Sequence, residues 1–155
     1  MKFLRFVVEG DPVGKQRPRF SGAGAGAGVR TYTPQKTKDY ERLVQDNYYI
    51  QCGSKFIGYF EPQEAVYMLI DAVFRMPKGF SKADKQKAIS GEILPLKRAD
   101  ADNIAKVCMD ALNGYAYHDD AQVVEVYCRK MYGEQPRVVI RMSNEPLMEP
   151  KEAEA

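Results

Sequence analysis

Asp102-Asn103-Ile104-Ala105-Lys106-Val107-Cys108-Met109-Asp110-Ala111-Leu112-Asn113-Gly114 is the stretch that decides the fold. Ile104, Val107, Cys108, Ala111 and Leu112 recur at helical spacing, so residues 102–112 read as an amphipathic helix with one apolar stripe. Asp102, Lys106, Asp110 and Asn113 lie off that stripe on a shared polar face, and Asn113-Gly114 is a helix stop. Downstream, Ala121 to Met131 alternates as a strand, Gly133 to Pro136 makes a turn, and Arg137 to Met142 alternates again; this predicts a hairpin. Upstream, Ser81 to Ile89 reads as a short charged helix, and Glu64 to Met76 as an apolar strand ended by Pro77. Thr33-Pro34 looks like a helix cap followed by proline at the first helical position, and Tyr40, Leu43, Val44, Asn47, Tyr48 and Gln51 then carry a helix to about Gly53. Lys2 to Val8 alternates as a first strand. The order predicts an α+β fold, a four-stranded mixed sheet with two long helices packed on it.

The bulk properties agree with one domain. The chain has 155 residues, 45% hydrophobic and 28% charged, enough for a real core. The domain is expected over residues 1–143, and residues 144–155, with two prolines and mixed charge, as a disordered tail. Ser21 to Gly28 alternates glycine and alanine, which offers little side chain to bury and much backbone entropy; a mobile loop is expected at about residues 21–29. No apolar run reaches the roughly 20 residues of a membrane span. The N-terminus interleaves charge with apolar residues, unlike a secretory signal. Cys52, Cys108 and Cys128 have no metal-ligand spacing and read as buried thiols, consistent with a cytoplasmic protein.

The acids are concentrated. Asp100 and Asp102 stand at the start of the helix, and Asp119-Asp120 follow it just before the next strand. Like charges held close raise one another's pKa, and a hard divalent cation relieves them through the oxygen ligands it prefers. Single aspartates at helix starts and turns are usually caps, so the paired occurrence carries the reading. Lys106 lies one turn beyond Asp102, about 40° round the axis, where it is either a surface ion pair or a second positive group of a site. A short return from the helix would bring Asp120 within reach of Asp100 and Asp102. Of the adjacent pair, Asp120 is preferred because it leads directly into the strand. Carboxylates, Mg²⁺ and a lysine are the parts that cut a phosphodiester.

Other chemistries are excluded. Counting from Asp100, Ile104 and Ala105 stand where a calcium loop needs Asp or Asn and then Gly. Phosphate-cradling glycine motifs are absent, zinc has too few ligands, and His118 is the single histidine. Net charge is only +2, but Lys15, Arg17, Arg19, Arg30, Lys36, Lys38 and Arg42 face just Asp39 and Glu41 in the stretch that contains them. Such a basic flap around a glycine-rich hinge can close on a phosphate backbone.

Asp100-x-Asp102-Asn103-x-x-Lys106, followed by Asp110-Ala111-Leu112-Asn113 and Asp119-Asp120-Ala121-Gln122-Val123-Val124, resembles the signature of the RusA family. Gly14-Lys15-Gln16-Arg17-Pro18-Arg19 and Tyr32-Thr33-Pro34 resemble the opening of that family. The likeness spans Lys2 to Met142, with Arg98-Ala99 standing where relatives commonly have a proline before the first aspartate. The resemblance implies a phage or prophage Holliday junction resolvase: a homodimer that binds four-way DNA junctions and nicks two strands symmetrically. It implies Mg²⁺, with Mn²⁺ as a substitute, held by Asp100, Asp102 and Asp120, and an essential lysine at Lys106. Lys15, Arg17, Arg19 and Arg30 are the expected backbone contacts. The alternatives are a junction-binding protein without catalysis, in which the acids are caps and turns, and a Mg²⁺-dependent nuclease of other branched DNA.

Overall fold

The computed structural model describes residues 1–22, 28, 30–53, 58–97 and 99–148. The strands are β1 (Phe3–Glu9), β2 (Arg19–Ser21), β3 (Arg30–Tyr32), β4 (Val66–Arg75), β5 (Val123–Gly133) and β6 (Arg137–Ser143). The helices are α1 (Gln35–Cys52), α2 (Lys82–Ser90) and α3 (Ala101–Leu112). The main sheet is mixed, in the order β1-β6-β4-β5, with β4 and β5 parallel and the other pairs antiparallel.

α1 and α3 pack on one sheet face. Leu4, Phe6 and Val8 of β1 meet Tyr40, Val44 and Tyr48 of α1 in the core. Phe6 and Tyr48 stack edge to face with centroids 5.5 Å apart. The apolar stripe of α3, from Ile104 to Leu112, is buried against the same core. α1 therefore lies over the β1 end of the sheet and α3 over the β5 end. Ser81 caps α2 by accepting a hydrogen bond from the Asp84 amide (3.1 Å), as its residue type favours. α1 begins one position later than the Thr33-Pro34 pattern implies: Pro34 occupies the cap position, and no side chain caps the helix.

The predicted hairpin is corrected. β5 and β6 are consecutive and antiparallel in direction, yet β4 lies between them. β4 is buried on both faces through most of its length, so it takes an interior place and splits the pair. Crossing one strand requires about 10 Å, within reach of the three residues Glu134 to Pro136. The crossing is tight: a Cβ on Gly133 would come within 2.5 Å of a Val73 methyl, so only glycine fits there.

Two further regions differ from the sequence-based expectation. Arg19–Ser21 and Arg30–Tyr32 pair as a separate two-stranded antiparallel ribbon, with Arg19 opposite Tyr32 and Ser21 opposite Arg30. The basic flap is thus a β-ribbon; of the glycine-alanine stretch between its strands, where a mobile loop is expected, residues 23–27 and 29 lie outside the described residues. Within the expected tail, Asn144 is tied to the domain: its side chain accepts from the Lys2 amide (2.8 Å) and donates to Glu64 (3.2 Å). Residues 149–155 lie outside the described residues, as does Arg98. Among the described residues no helix is long and apolar enough to cross a membrane. Cys52, Cys108 and Cys128 are free thiols; Cys108 is fully buried and the other two are half-buried.

Candidate nucleic-acid interface and acid cluster

Asp100 occupies the cap position of α3 but makes no side-chain capping bond. It is exposed, as are Asp102 and Lys106 along the polar face of the helix. Asp102 and Lys106, one turn apart, form no ion pair with each other. Asp102 faces β5, where its charge helps to raise the pKa of the Cys128 thiol after the larger effect of burial.

Asp120 begins a short 3₁₀ turn, Asp120–Gln122, that leads into β5. Its neighbour Asp119 is consumed structurally: its carboxylate accepts from the Ala121 amide at 2.9 Å, as half of a capping box with Gln122. Gln122 completes that scaffold. Its carbonyl oxygen accepts from the amides of His118 (2.7 Å) and Asp119 (3.0 Å), and its amide donates to the carbonyls of Glu61 (2.7 Å) and Glu64 (3.1 Å). This leaves Asp120 turned toward α3. The buried Tyr117 hydroxyl reaches it at 3.4 Å while donating to the Met109 carbonyl at 2.7 Å. The pKa of Asp120 is raised above the ordinary carboxylate value, first by burial and then by the charge of Asp110, with Asp119 adding to it; Tyr117 and Lys106 oppose the shift. Its carboxylate carries charge that its surroundings do not balance.

The expected meeting of Asp120 with Asp100 and Asp102 is not formed within the protomer. The turn after α3 returns the chain beside Met109 and Asp110, at the far end of the helix, because a short connection can reach only the end it leaves. Eight helical residues span about 12 Å, so Asp102 and Asp120 lie at opposite ends of α3 with Lys106 between them. Among the described residues no group of three or more His, Cys, Asp or Glu side chains could hold one metal ion. The donor chemistry still suits a hard cation: the groups are all carboxylates, and Asp120 is destabilised as an anion. Mg²⁺ in particular is commonly held by one or two carboxylates, with water and substrate phosphate completing its shell.

The basic loop is built against the start of α3. Gly14 packs so closely that a Cβ there would lie 2.7 Å from the Ala99 Cβ and 3.1 Å from that of Asn103. The Lys15 amide donates to the Asn103 carbonyl (2.9 Å), and the Gln16 amide to the Thr37 hydroxyl (3.2 Å). A cleft of about 790 Å³ results, lined by Lys15, Arg17, Arg19 and Lys36 together with Asp100 and Asn103. Arg17, Arg19 and Lys36 are exposed; Arg30 stands on the ribbon beside them, opposite Ser21. Lys15 differs. Its ammonium bonds Glu41 of α1 at 3.1 Å and Asp110 of α3 at short range. Burial opposes its charge, but the two acids outweigh burial and hold its pKa above the usual lysine value.

The residue types and spacings singled out Asp100, Asp102, Lys106 and Asp120, and the structure sets all four along α3 or facing it. They did not single out Tyr117, which holds Asp120, or the Lys15–Glu41–Asp110 network, whose members are 26 and 95 residues apart. His118 is exposed, and its ring lies beside Gly58.

The profile of the family described as Endodeoxyribonuclease RusA matches residues 9–143. A protein of Bacillus subtilis (strain 168), described as Uncharacterized protein YqaN, is 34% identical over 146 residues, covering 90% of this chain and 95% of that protein.

Proposed function

The chain belongs to the RusA endodeoxyribonuclease family, and from that premise we propose that it resolves four-way DNA junctions by Mg²⁺-dependent, paired symmetric hydrolysis. The observation that carries this reading is the shared surface at the start of α3. There the arginine-lined cleft opens beside an exposed, uncapped Asp100 and the polar face carrying Asp102 and Lys106. An acidic helix start is a poor place for a phosphate unless a cation accompanies it, whereas the arginines alone would bind any polyanion.

In this reading Asp100 and Asp102 would hold a divalent ion at the start of α3, and Asp120 would hold one at the far end of the helix. When bound, the ion would supply a polarised water and charge neutralisation at phosphorus. Arg17, Arg19 and Arg30 grip the backbone on either side of the scissile phosphate. Lys106, exposed between the acids, meets the negative charge that develops on the phosphate or its leaving oxygen. Tyr117 keeps Asp120 turned toward α3. Water attacks phosphorus, the phosphodiester oxygen leaves, and each protomer makes one nick.

The working unit is a homodimer, because two identical sites related by a two-fold axis match the two-fold symmetry of a junction. The two sheet edges support this. Gln51 closes the β1 edge by accepting from the Val7 amide (2.8 Å) and donating to its carbonyl (2.6 Å). The outer edge of β5 has no strand partner among the described residues, and Val124, Val126 and Tyr127 are exposed along it. Antiparallel pairing of two copies about Tyr127 would oppose Glu125 of each to Arg129 of the other. The setting is the cytoplasm, in phage or prophage DNA recombination and repair.

Asp102→Asn is the test of the site. Junction binding should be retained or strengthened, because one negative charge leaves a polyanion-binding surface, while cutting is lost. Cutting at the wild-type rate would remove Asp102 from the metal site.

A further inference from the structure

Lys15 belongs to the basic run by sequence but not by contact. Its ammonium is already bonded to two carboxylates, and its side chain is only 19% exposed. Neutralising a phosphate would require breaking those bonds and leaving Glu41 and Asp110 unpaired in a half-buried setting. We infer that Lys15 is a positioning residue that locks the basic loop, and with it Arg17 and Arg19, over the start of α3, and is not itself a phosphate ligand. This rests on the nuclease reading above.

The geometry gives the lock its parts. The loop touches α1 through the Gln16 amide on Thr37, and α3 through the Lys15 amide on Asn103 and the close approach of Gly14. Each of these is a neutral contact. The Lys15 side chain is the charged one, and it spans both helices at once: Glu41 belongs to α1 and Asp110 to α3. Two residues on, the side chain of Arg17 is exposed and has no hydrogen bond or ion pair among the described residues; the same is true of the Arg19 side chain, and both line the cleft with Asp100. Positioned cations need a fixed base; the two-helix clamp at Lys15 supplies it. The same ammonium also meets the charge of Asp110, which otherwise faces Asp120.

The experiment uses the full chain and a synthetic four-way junction. Lys15→Met is compared with Arg17→Ala in three readouts: the salt dependence of binding without divalent metal, single-turnover cleavage with Mg²⁺, and hydrogen exchange of the Lys15 and Gln16 amides. Lys15→Met should leave the slope of log affinity against log salt unchanged, because the count of phosphate contacts is unchanged. It should cut about 10–100-fold more slowly because the arginines are misplaced, and both amides should lose protection. Arg17→Ala should reduce the slope by about one and leave those amides protected. Lys15→Arg should recover most of the rate.

A slope reduced by about one in Lys15→Met would make Lys15 a phosphate ligand and overturn the inference. Wild-type cutting with unchanged amide protection would overturn it as well. Should Lys15→Met fail to fold, Glu41→Gln removes one partner without touching the loop. It should lower amide protection and cleavage at constant slope, and no change in either would count against the lock. If the wild-type protein neither binds nor cuts the junction, the nuclease reading fails while amide exchange still decides the role of Lys15.

Discussion

Asp71 and Asp120 are both partly or wholly withdrawn from water, and their surroundings push them in opposite directions. Asp71, on the sheet face away from α1 and α3, receives Arg129 at 2.8 Å and Arg141 at 2.7 Å. Burial alone would raise its pKa, but the two guanidiniums outweigh it and hold the carboxyl below its ordinary value. Asp120 has a tyrosine at long range and the carboxylates of Asp110 and Asp119 nearby, and its pKa is raised, chiefly by burial. One acid is complete as the chain folds. The other is left short of positive charge on a surface beside an exposed lysine. Asp71 is satisfied by the fold and Asp120 is not; the comparison is open to test from both sides.

The largest effect is expected on cleavage. Asp102→Asn or Asp120→Asn should slow junction cutting by about 10²–10³-fold or more, measured in single turnover, whereas Asp71→Asn should cut normally at a temperature where it is folded. Equal losses from all three would erase the distinction. Stability should show the reverse pattern. Asp71→Ala strands two arginines and should cost about 2 kcal/mol, less than the 3–5 of a fully buried pair because Arg129 reaches solvent; urea unfolding measures it.

Asp120→Asn should raise the melting temperature at pH 7 by roughly 1–3 °C. The sign follows from linkage. A carboxyl with a raised folded-state pKa binds its proton more tightly when folded, so a stability penalty grows as pH rises through the carboxylate range and is complete above the folded pKa. The amide removes that penalty. Asp71 behaves oppositely: its contribution is present above the unfolded carboxyl value of about 3.9 and is lost as pH falls through its lowered folded pKa. Melting temperatures of both variants across pH 3–8 should therefore diverge in opposite directions, and parallel curves would contradict the contrast. The smallest effect is on binding: Arg17→Ala should flatten the salt slope by about one without changing the melting temperature.

Much of this was legible in the chain. The stripe from Ile104 to Leu112 and the alternation in β1 give helix and strand directly, because their burial is one-sided. Pairing order was not legible. Whether β5 meets β6 depends on where the doubly buried β4 goes, and no property of the Gly133–Pro136 turn announces an intervening strand. The same limit applies at the site. Residue types at short spacing picked out Asp100, Asp102 and Lys106, and Asp120 over Asp119, whose capping box the structure makes explicit. Their relative placement along α3 needed the return path of the chain, and the clamp at Lys15 needed two helices to converge on it.

The measurement that tests the account most directly is cleavage of a labelled four-way junction, with and without Mg²⁺, beside a linear duplex of the same sequence. The account predicts paired symmetric nicks in the junction, dependent on the ion, with the duplex intact. Tight junction binding with no cutting under Mg²⁺ or Mn²⁺ would contradict it, leaving the acids along α3 without the role proposed for them.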